Sequence, residues 1–222
     1  MRRLYHIPLS PFARKVRLCL AEKMLEFELI VEKVARRRPE FLAMNPAGKV
    51  PVLVESDGLV VAESSAICEY LDEVYAAPGL IGSDPIDRAE TRRLVAWFDL
   101  KLGREVTANL VFEKVIKRLE GLGPPDTTAI RVGRQNIGRH LEYISYLAER
   151  RRWLGGDVFG LADIAAAAHL SCLDYLGDVP WAVHPLAKDW YVRIKSRPSF
   201  RPLLLDRLPE MMPAAHYDNL DF

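Results

Sequence analysis

The stretch NPAGKVPVLVESDGLVVAESSAICEYLDEVY, residues 45–75, decides the fold of this chain. It contains two runs rich in β-branched residues, Val50–Ser56 and Leu59–Ala62. An Asp57-Gly58 pair joins them, and this dipeptide is a strong signal for a β-hairpin turn. Ser64–Tyr75 then returns to helical spacing, with one apolar face. That face carries Ile67, Tyr70, Leu71 and Val74. The stretch therefore predicts two paired strands followed by a helix.

The residues before this stretch add a strand, a helix and a second strand to the prediction. Arg3–Pro8 indicates the first strand and Phe27–Val34 the second. Between them, Pro11–Lys23 has the pattern of a helix. Ser10 stands at its N-cap and proline at its first position, where each residue type is favoured. The first 75 residues thus have the order βαβ followed by ββα.

A segment rich in proline and glycine, AAPGLIGSDPID at residues 76–87, separates this region from a helical one. Its prolines and glycines indicate a linker. Four helices are predicted after it, over Ile86–Leu119, Thr127–Arg152, Leu161–Leu176 and Pro185–Ser196. The third is so rich in alanine and leucine that we expect it to be buried at the centre. We place one domain at residues 1–78, a second at 86–203 and a tail at 204–222.

Composition excludes several classes of protein. The 222 residues carry a net charge of +1 and are 50% apolar, so no global charge favours nucleic acid or a membrane surface. Three cysteines without a C-x-x-C pair argue against a disulfide scaffold or a zinc site and fit a reducing cytoplasm. A strand-like segment at the N-terminus leaves no room for a signal peptide, and no apolar run could span a bilayer. We expect a cytoplasmic protein without a metal or a membrane-inserted segment, and without nucleic acid as a partner.

Several motifs together resemble the cytosolic glutathione S-transferases. NPAGKVPVL (Asn45–Leu53) resembles the segment with that family's cis-proline, and ESSAICEYLDEVY (Glu63–Tyr75) its glutamate-serine turn and helix. VFGLADIAAAAHL (Val158–Leu170) resembles the family's buried helix, and HPLAKDWYVRIKSRPSF (His184–Phe200) the segment after it. The resemblance implies an α/β thioredoxin-like N-terminal domain, an all-α C-terminal domain and a homodimer.

The resemblance also implies a glutathione site. Its residues would be Phe12, Lys49, Val50, Pro51, Glu63 and Ser64. A cis bond before Pro51 would present the backbone of Val50 to an extended peptide. Ser64 and the helix start suit a carboxylate, while Glu63 suits an ammonium. The alternative role of Ser64 is that of a plain helix cap. Glutathione is thus expected as a ligand or cosubstrate, and no other cofactor is implied.

Ser10 lies in the turn SPFA, where thioredoxin-like folds present a residue to a substrate sulfur. Neither end of the turn is a cysteine, which excludes dithiol exchange and single-cysteine reductase chemistry there. Lowering a thiol pKa by about two units requires ~2.7 kcal/mol. A hydroxyl hydrogen bond to a charged group supplies ~1.5–3 kcal/mol, so catalysis by Ser10 is physically permitted. The alternative is that Ser10 only caps the helix.

The tail MMPAAHYDNLDF, Met211–Phe222, places aromatic and apolar residues beside acids. Surplus tails usually become polar, so this pattern favours a docking segment. Its expected partner-binding residues are Tyr217, Asp218, Leu220, Asp221 and Phe222. The alternative is that the tail folds back onto its own helical domain. Together with GLGPPDTTAIR at residues 121–131 and the altered SPFA turn, the tail resembles glutathione S-transferase homologues that bind the bacterial division protein FtsZ.

Two functions follow from these resemblances. The first is binding of FtsZ filaments and their regulation at the division site, without glutathione chemistry as the main role. The second is glutathione transfer to an unidentified electrophile. A transcriptional regulator of this fold is a third, but the chain shows no clear basic recognition helix.

At residues 160–163 we expect Gly160 and Asp163 to form a capping box, at a position where the family usually has Ser or Thr. His169 is expected to face the core.

Overall fold

Four short strands form the mixed sheet of the N-terminal region in a computed structural model that describes residues 1–220. The strands are β1 (Arg2–His6), β2 (Phe27–Val31), β3 (Val52–Val54) and β4 (Val60–Ala62). Their order is β2-β1-β3-β4; β1 pairs with β2 in parallel, and the other two pairs are antiparallel. Gly58 has φ +94° in the β3–β4 turn. The predicted hairpin is therefore confirmed, and its strands are shorter than predicted.

Three helices accompany this sheet: α1 (Pro11–Glu22), α2 (Pro39–Met44) and α3 (Ser64–Val74). The short helix α2 was not expected from the sequence. Proline at its first position starts it, and Phe41 anchors it in the core. α1 is buried along nearly its whole length, because α3 of the N-terminal region and α7 of the C-terminal region pack against it. Buried charged residues on α1 therefore need partners from both halves of the chain.

The C-terminal region is helical, as predicted. Helix α4 (Pro85–Ala96) continues through a π-wound segment, Trp97–Ile116, into α5 (Lys117–Glu120). The remaining helices are α6 (Thr127–Arg150), α7 (Leu161–Tyr175), α8 (Pro185–Lys195) and α9 (Arg201–Leu204). Every residue of α7 is buried, which confirms the prediction of a central helix. Among residues 1–220, no helix is both long and apolar enough to cross a bilayer.

The start of α7 explains why a glycine stands at its N-cap. The Leu80 carbonyl of the linker accepts the Leu161 N–H at 2.7 Å. A Cβ on Gly160 would lie 2.6 Å from that carbonyl oxygen, so a serine or threonine there would clash with the linker. The Gly160 N–H donates to Asp163 Oδ2 at 3.3 Å, as the predicted capping box requires. Burial raises the pKa of Asp163 to about 6, although Leu154 N–H and Trp190 Nε1–H both donate to it.

Candidate functional site

Ser10 caps α1, as the sequence predicts. Its backbone is extended, and its Oγ accepts the Ala13 N–H at 3.3 Å, while Pro11 occupies the first helical position. The Ser10 side chain is buried, with 7% of the residue exposed. It also lines a cavity of about 330 Å³ between the two halves of the chain. The cap and a contact with a bound molecule are therefore compatible roles for Ser10.

The lining of this cavity, which we call the apolar cavity, is almost entirely carbon. Residues of the N-terminal region close one side of it: Ile7, Ser10, Pro11, Phe12, Val34, Gly48, Lys49 and Val50. One face of the π-wound segment closes the other, with Gly103, Thr107, Ala108, Val111, Phe112 and Ile116. Such a cavity suits a small apolar molecule rather than a fully charged one.

Lys49, Val50 and Pro51 lie at the predicted segment before β3. The Val50–Pro51 bond is cis, which confirms the prediction, and a second cis bond, not predicted, precedes Pro78. Asn45 holds the turn, since its Nδ2 donates to the Lys49 carbonyl at 2.8 Å. Lys49 is exposed, whereas Pro51 is buried. Lys49 and Val50 thus lie together at the apolar cavity, beside Ser10.

Glu63 and Ser64 line a different cavity, of about 360 Å³, which we call the α3 cleft. Glu63 is exposed and has φ +74° at the N-cap of α3, and Ser64 is buried at the first helical position. Phe12 lines both cavities and lies between them. The predicted glutathione residues are therefore divided into two groups, with Phe12 shared by both.

A buried polar cluster behind Phe12 was not predicted. Lys15 Nζ donates to Asp99 Oδ2 and to Ser65 Oγ, and both partners line the α3 cleft. His169 is fully buried, as expected, with its Nε2 3.4 Å from Asp99 Oδ1 and its Nδ1 2.8 Å from Thr107 Oγ1. The Phe12 ring meets the His169 ring edge-on. Sequence patterns miss this cluster because its members come from four separate helical segments.

The opposite side of α1 binds the C-terminal tail. Arg14 Nη2 and Arg17 Nη1 donate to Asp206 Oδ2 at 2.8 and 2.7 Å. Arg14 Nη1 also donates to the hydroxyls of Ser171 and Tyr217, at 2.8 and 3.1 Å. Arg14 is 1% exposed, so its guanidinium lies in the protein interior. The tail is thereby joined to a helix of the N-terminal region.

Tyr217 does not have the predicted position of a docking residue. It is completely buried, its hydroxyl donates to the Leu203 carbonyl at 3.0 Å, and its ring packs on Tyr175. Burial raises the pKa of Tyr217 to about 12. The prediction that Tyr217 is an exposed anchor is corrected: the side chain is part of the core, because the arginine on α1 and the ring of Tyr175 provide a site for it.

The other tail residues retain accessible positions where the structure describes them. Asp218 is exposed and pairs with Arg207 at 2.5 Å. Leu220 is half-buried against the core. Asp221 and Phe222 lie outside the described residues. The predicted role of these four residues in partner binding therefore stays a prediction.

Cysteine and metal chemistry find no support in the part of the chain that the structure describes. Cys19, Cys68 and Cys172 are buried and unpaired. Burial raises the pKa of Cys172 to about 11, which disfavours a reactive thiolate. Residues 1–220 contain no cluster of His, Cys, Asp and Glu side chains that could hold a metal ion.

Comparisons with known proteins agree with this architecture. Models of the glutathione S-transferase N-terminal and C-terminal domains match residues 4–79 and 127–198. FtsZ-localized protein A of Caulobacter vibrioides is 50% identical over the whole of this chain and 98% of its own length. A glutathione S-transferase from Rhodospirillum rubrum is 58% identical in sequence to this chain. Its crystal structure superposes with a TM-score of 0.97 and full coverage of both chains. The structure of FzlA from C. crescentus has a TM-score of 0.95 at 50% identity, over all of this chain and 99% of that one.

Proposed function

The chain belongs to the glutathione S-transferase family, and within that family we propose that it binds the tubulin-like protein FtsZ and regulates its filaments during bacterial cell division. The observation that carries this proposal is the 50% identity to FtsZ-localized protein A over the whole chain. That alignment covers the tail as well as both domains, so the proposal includes the tail. We place the protein in the cytoplasm, at the division site.

We further propose that the protein acts as a homodimer. The π-wound segment exposes Leu100, which is 70% accessible and lines the α3 cleft. Ala96, four residues earlier, is exposed as well and lines the same cleft, so apolar surface continues along one side of the helix. A second copy that covered this surface would remove it from water, which favours association. Two copies would also present two tails to a filament of repeating subunits, and this would raise the apparent affinity.

Co-sedimentation tests the proposal directly. The full chain is mixed with FtsZ from the same organism, polymerised with GTP, and centrifuged. We expect saturable pelleting with polymers and little pelleting with FtsZ kept in GDP, because two tails engage two neighbouring subunits only in a filament. Absence of pelleting with polymers at FtsZ concentrations well above its polymerisation threshold would contradict the proposal.

Glutathione transfer is a second candidate, which two observations favour. The 58% identical protein from R. rubrum is described as a glutathione S-transferase, and the apolar cavity adjoins Ser10 and the Val50–Pro51 bond. One observation weighs against it as the main role. Asp99 in the α3 cleft already pairs with Lys15, so this carboxylate is not free for a ligand.

We therefore expect glutathione to bind in the millimolar range or not at all, with negligible conjugation to a chloronitrobenzene electrophile. A helix N-terminus alone contributes only ~0.3–1 kcal/mol toward the ~2.7 kcal/mol that thiolate formation requires. Calorimetric titration and a spectrophotometric conjugation assay measure the two quantities. Rapid turnover that collapses in Ser10→Ala would instead establish the second candidate.

A further inference from the structure

A third cavity, of about 670 Å³, lies between the linker and the start of α7, and we call it the linker cavity. The linker and the first two turns of α4 form one wall, and residues 155–160 form the other. No residue lines both this cavity and the apolar cavity or the α3 cleft. Its size lies in the range of cavities that hold small molecules. Its polar side chains are those of Asp72, Ser83, Asp87, Arg88, Thr91 and Asp157.

Thr91 has a hydroxyl without a partner in this cavity. The residue is 7% exposed and lies in the middle of α4. A threonine there commonly donates to the carbonyl four residues earlier. Within residues 1–220, however, no group forms a hydrogen bond with the Thr91 hydroxyl. Buried polar groups are nearly always paired in folded proteins, so this hydroxyl is available to a molecule in the cavity.

Gly155 keeps the Thr91 hydroxyl open to the cavity. A Cβ on Gly155 would lie 3.6 Å from Thr91 Oγ1, so a longer side chain there would cover the hydroxyl. The backbone of Gly155 is not in the left-handed region that favours glycine. The space in front of Thr91, rather than the geometry of a turn, is therefore what a glycine provides at this position.

The linker cavity also has unpaired charges of both signs. Arg88, one turn before Thr91, donates its Nε–H to the Gly82 carbonyl at 3.1 Å. This bond orients the guanidinium and leaves its Nη groups available, since no carboxylate of the described chain pairs with Arg88. Asp157, on the opposite wall, has no ion-pair partner among the same residues. One open cation and one open anion complement a ligand that carries both charges.

The remaining acids of the cavity disfavour a simple anion as the ligand. Asp72 is occupied by the fold, because it accepts from Lys23 Nζ and from the Leu80 N–H, both at 2.8 Å. Asp87 is exposed on the same wall as Arg88. With Asp157 it makes two open carboxylates against one guanidinium. A ligand with only a negative charge would be repelled by them, whereas an ammonium on the same molecule relieves that repulsion.

We propose that the linker cavity binds a small zwitterion of the class of free α-amino acids. The Nη groups of Arg88 donate to its carboxylate, which suits the forked geometry of a guanidinium. The Thr91 hydroxyl donates to the same carboxylate, and Asp157 accepts from the ammonium. Leu80 and Phe159 line the cavity as well and provide apolar surface for an aliphatic side chain. The site lies apart from the tail, and the inference does not depend on FtsZ binding.

Three matched probes test this inference on the full chain. L-leucine carries both charges, L-leucinamide lacks the carboxylate, and N-acetyl-L-leucine lacks the ammonium. We expect L-leucine to bind with a dissociation constant in the millimolar range, measured by calorimetry or by ligand-observed NMR. Each of the other two probes should bind about tenfold more weakly, because each loses a charge-assisted hydrogen bond.

Variants of α4 assign the carboxylate contact. Arg88→Gln should bind L-leucine as weakly as L-leucinamide and leave the affinity for L-leucinamide unchanged. Thr91→Val should weaken L-leucine and N-acetyl-L-leucine, but not L-leucinamide. Arg92→Gln is the matched control, because Arg92 is also exposed on α4 but pairs with Glu69 and lines the α3 cleft. Its affinity for L-leucine should equal that of the wild type.

Amide NMR of the wild-type protein locates the site without any variant. L-leucine should shift the signals of Arg88 and Gly155 and leave that of Ala108, in the apolar cavity, unchanged. Four results would overturn the inference: no binding of L-leucine, equal affinity for the three probes, a preference for L-leucine that persists in Arg88→Gln, or shifts confined to the apolar cavity or the α3 cleft.

Discussion

Replacing Asp206 by alanine is expected to destabilise the protein by about 3 kcal/mol, the largest effect on stability that we predict for a tail residue. The carboxylate of Asp206 accepts from both Arg14 and Arg17. Arg14 is 1% exposed, so Asp206→Ala leaves a buried guanidinium without its counter-ion. For a chain of this length, a loss of about 3 kcal/mol lowers the Tm by about 6–12 °C. Thermal unfolding followed by circular dichroism measures the shift.

Asp218→Ala is the matched control for this variant. It also removes an aspartate of the tail that pairs with an arginine, Arg207, but both of those side chains are exposed. Exposed pairs contribute about 0–1 kcal/mol, so the Tm should change by no more than about 4 °C. Equal shifts in Tm for Asp206→Ala and Asp218→Ala would show that the buried Arg14 network adds no more stability than an exposed ion pair.

The same network determines how stability depends on pH. Burial disfavours the charged form of Asp206, but Arg17 and Arg14 favour it more strongly and hold the pKa of Asp206 below its usual range. The unfolded chain therefore binds this proton more readily, and the stabilisation is lost as the pH falls below about 4. Burial and the charge of Arg17 lower the pKa of His6 to about 4. Stability from His6 is accordingly lost as the pH falls from about 6.5 to 4.

Local signals in the sequence were sufficient for much of the fold. Asp57-Gly58 identified the hairpin, Ser10 the start of α1, and the run of alanines the buried helix α7. Each of these depends on residues close together in the chain, where turn and capping preferences act. The cis bond at Pro51 required the resemblance to a known family as well, since a proline alone does not determine the isomer.

The polar networks could not be predicted from local signals. Arg14 and Tyr217 are 203 residues apart, and Lys15 and Asp99 are 84 apart. The arginines and the lysine of α1 carry no local signal of burial, and only packing against both halves of the chain buries them. Tyr217 was misplaced for the same reason: an aromatic residue among acids has the same pattern whether it docks on a partner or on its own core.

Burial of Tyr217 divides the tail into two functional parts. Residues up to Tyr217 hold the tail on α1 and α7, through Asp206, Tyr217 and the bond from the Ala214 N–H to the Tyr175 carbonyl. Residues 218–222 follow this anchor directly, so their starting point is fixed relative to the fold. A fixed starting point reduces the ordering entropy that a docking segment loses on binding. The first part therefore supports stability, and any contacts of the tail with a partner are expected from the second.

Deleting residues 218–222 is expected to weaken FtsZ binding by a hundredfold or more while lowering the Tm by no more than about 3 °C. Leu220 and Phe222 as apolar anchors contribute ~1.5–3 kcal/mol each when buried, and 1.4 kcal/mol is tenfold in affinity.

Tyr217→Phe is the matched variant: it removes the hydroxyl that joins Arg14 and Leu203, so the Tm should fall while FtsZ binding persists. Asp221→Lys should weaken binding in a salt-dependent way, because rim charges act on orientation and association rate. Co-sedimentation over a range of FtsZ concentrations, with Tm measured on the same preparations, separates the two parts. If the deletion lowered the Tm strongly and left FtsZ binding undiminished, the tail would be a folding element only, and the contact with FtsZ would lie elsewhere on the molecule.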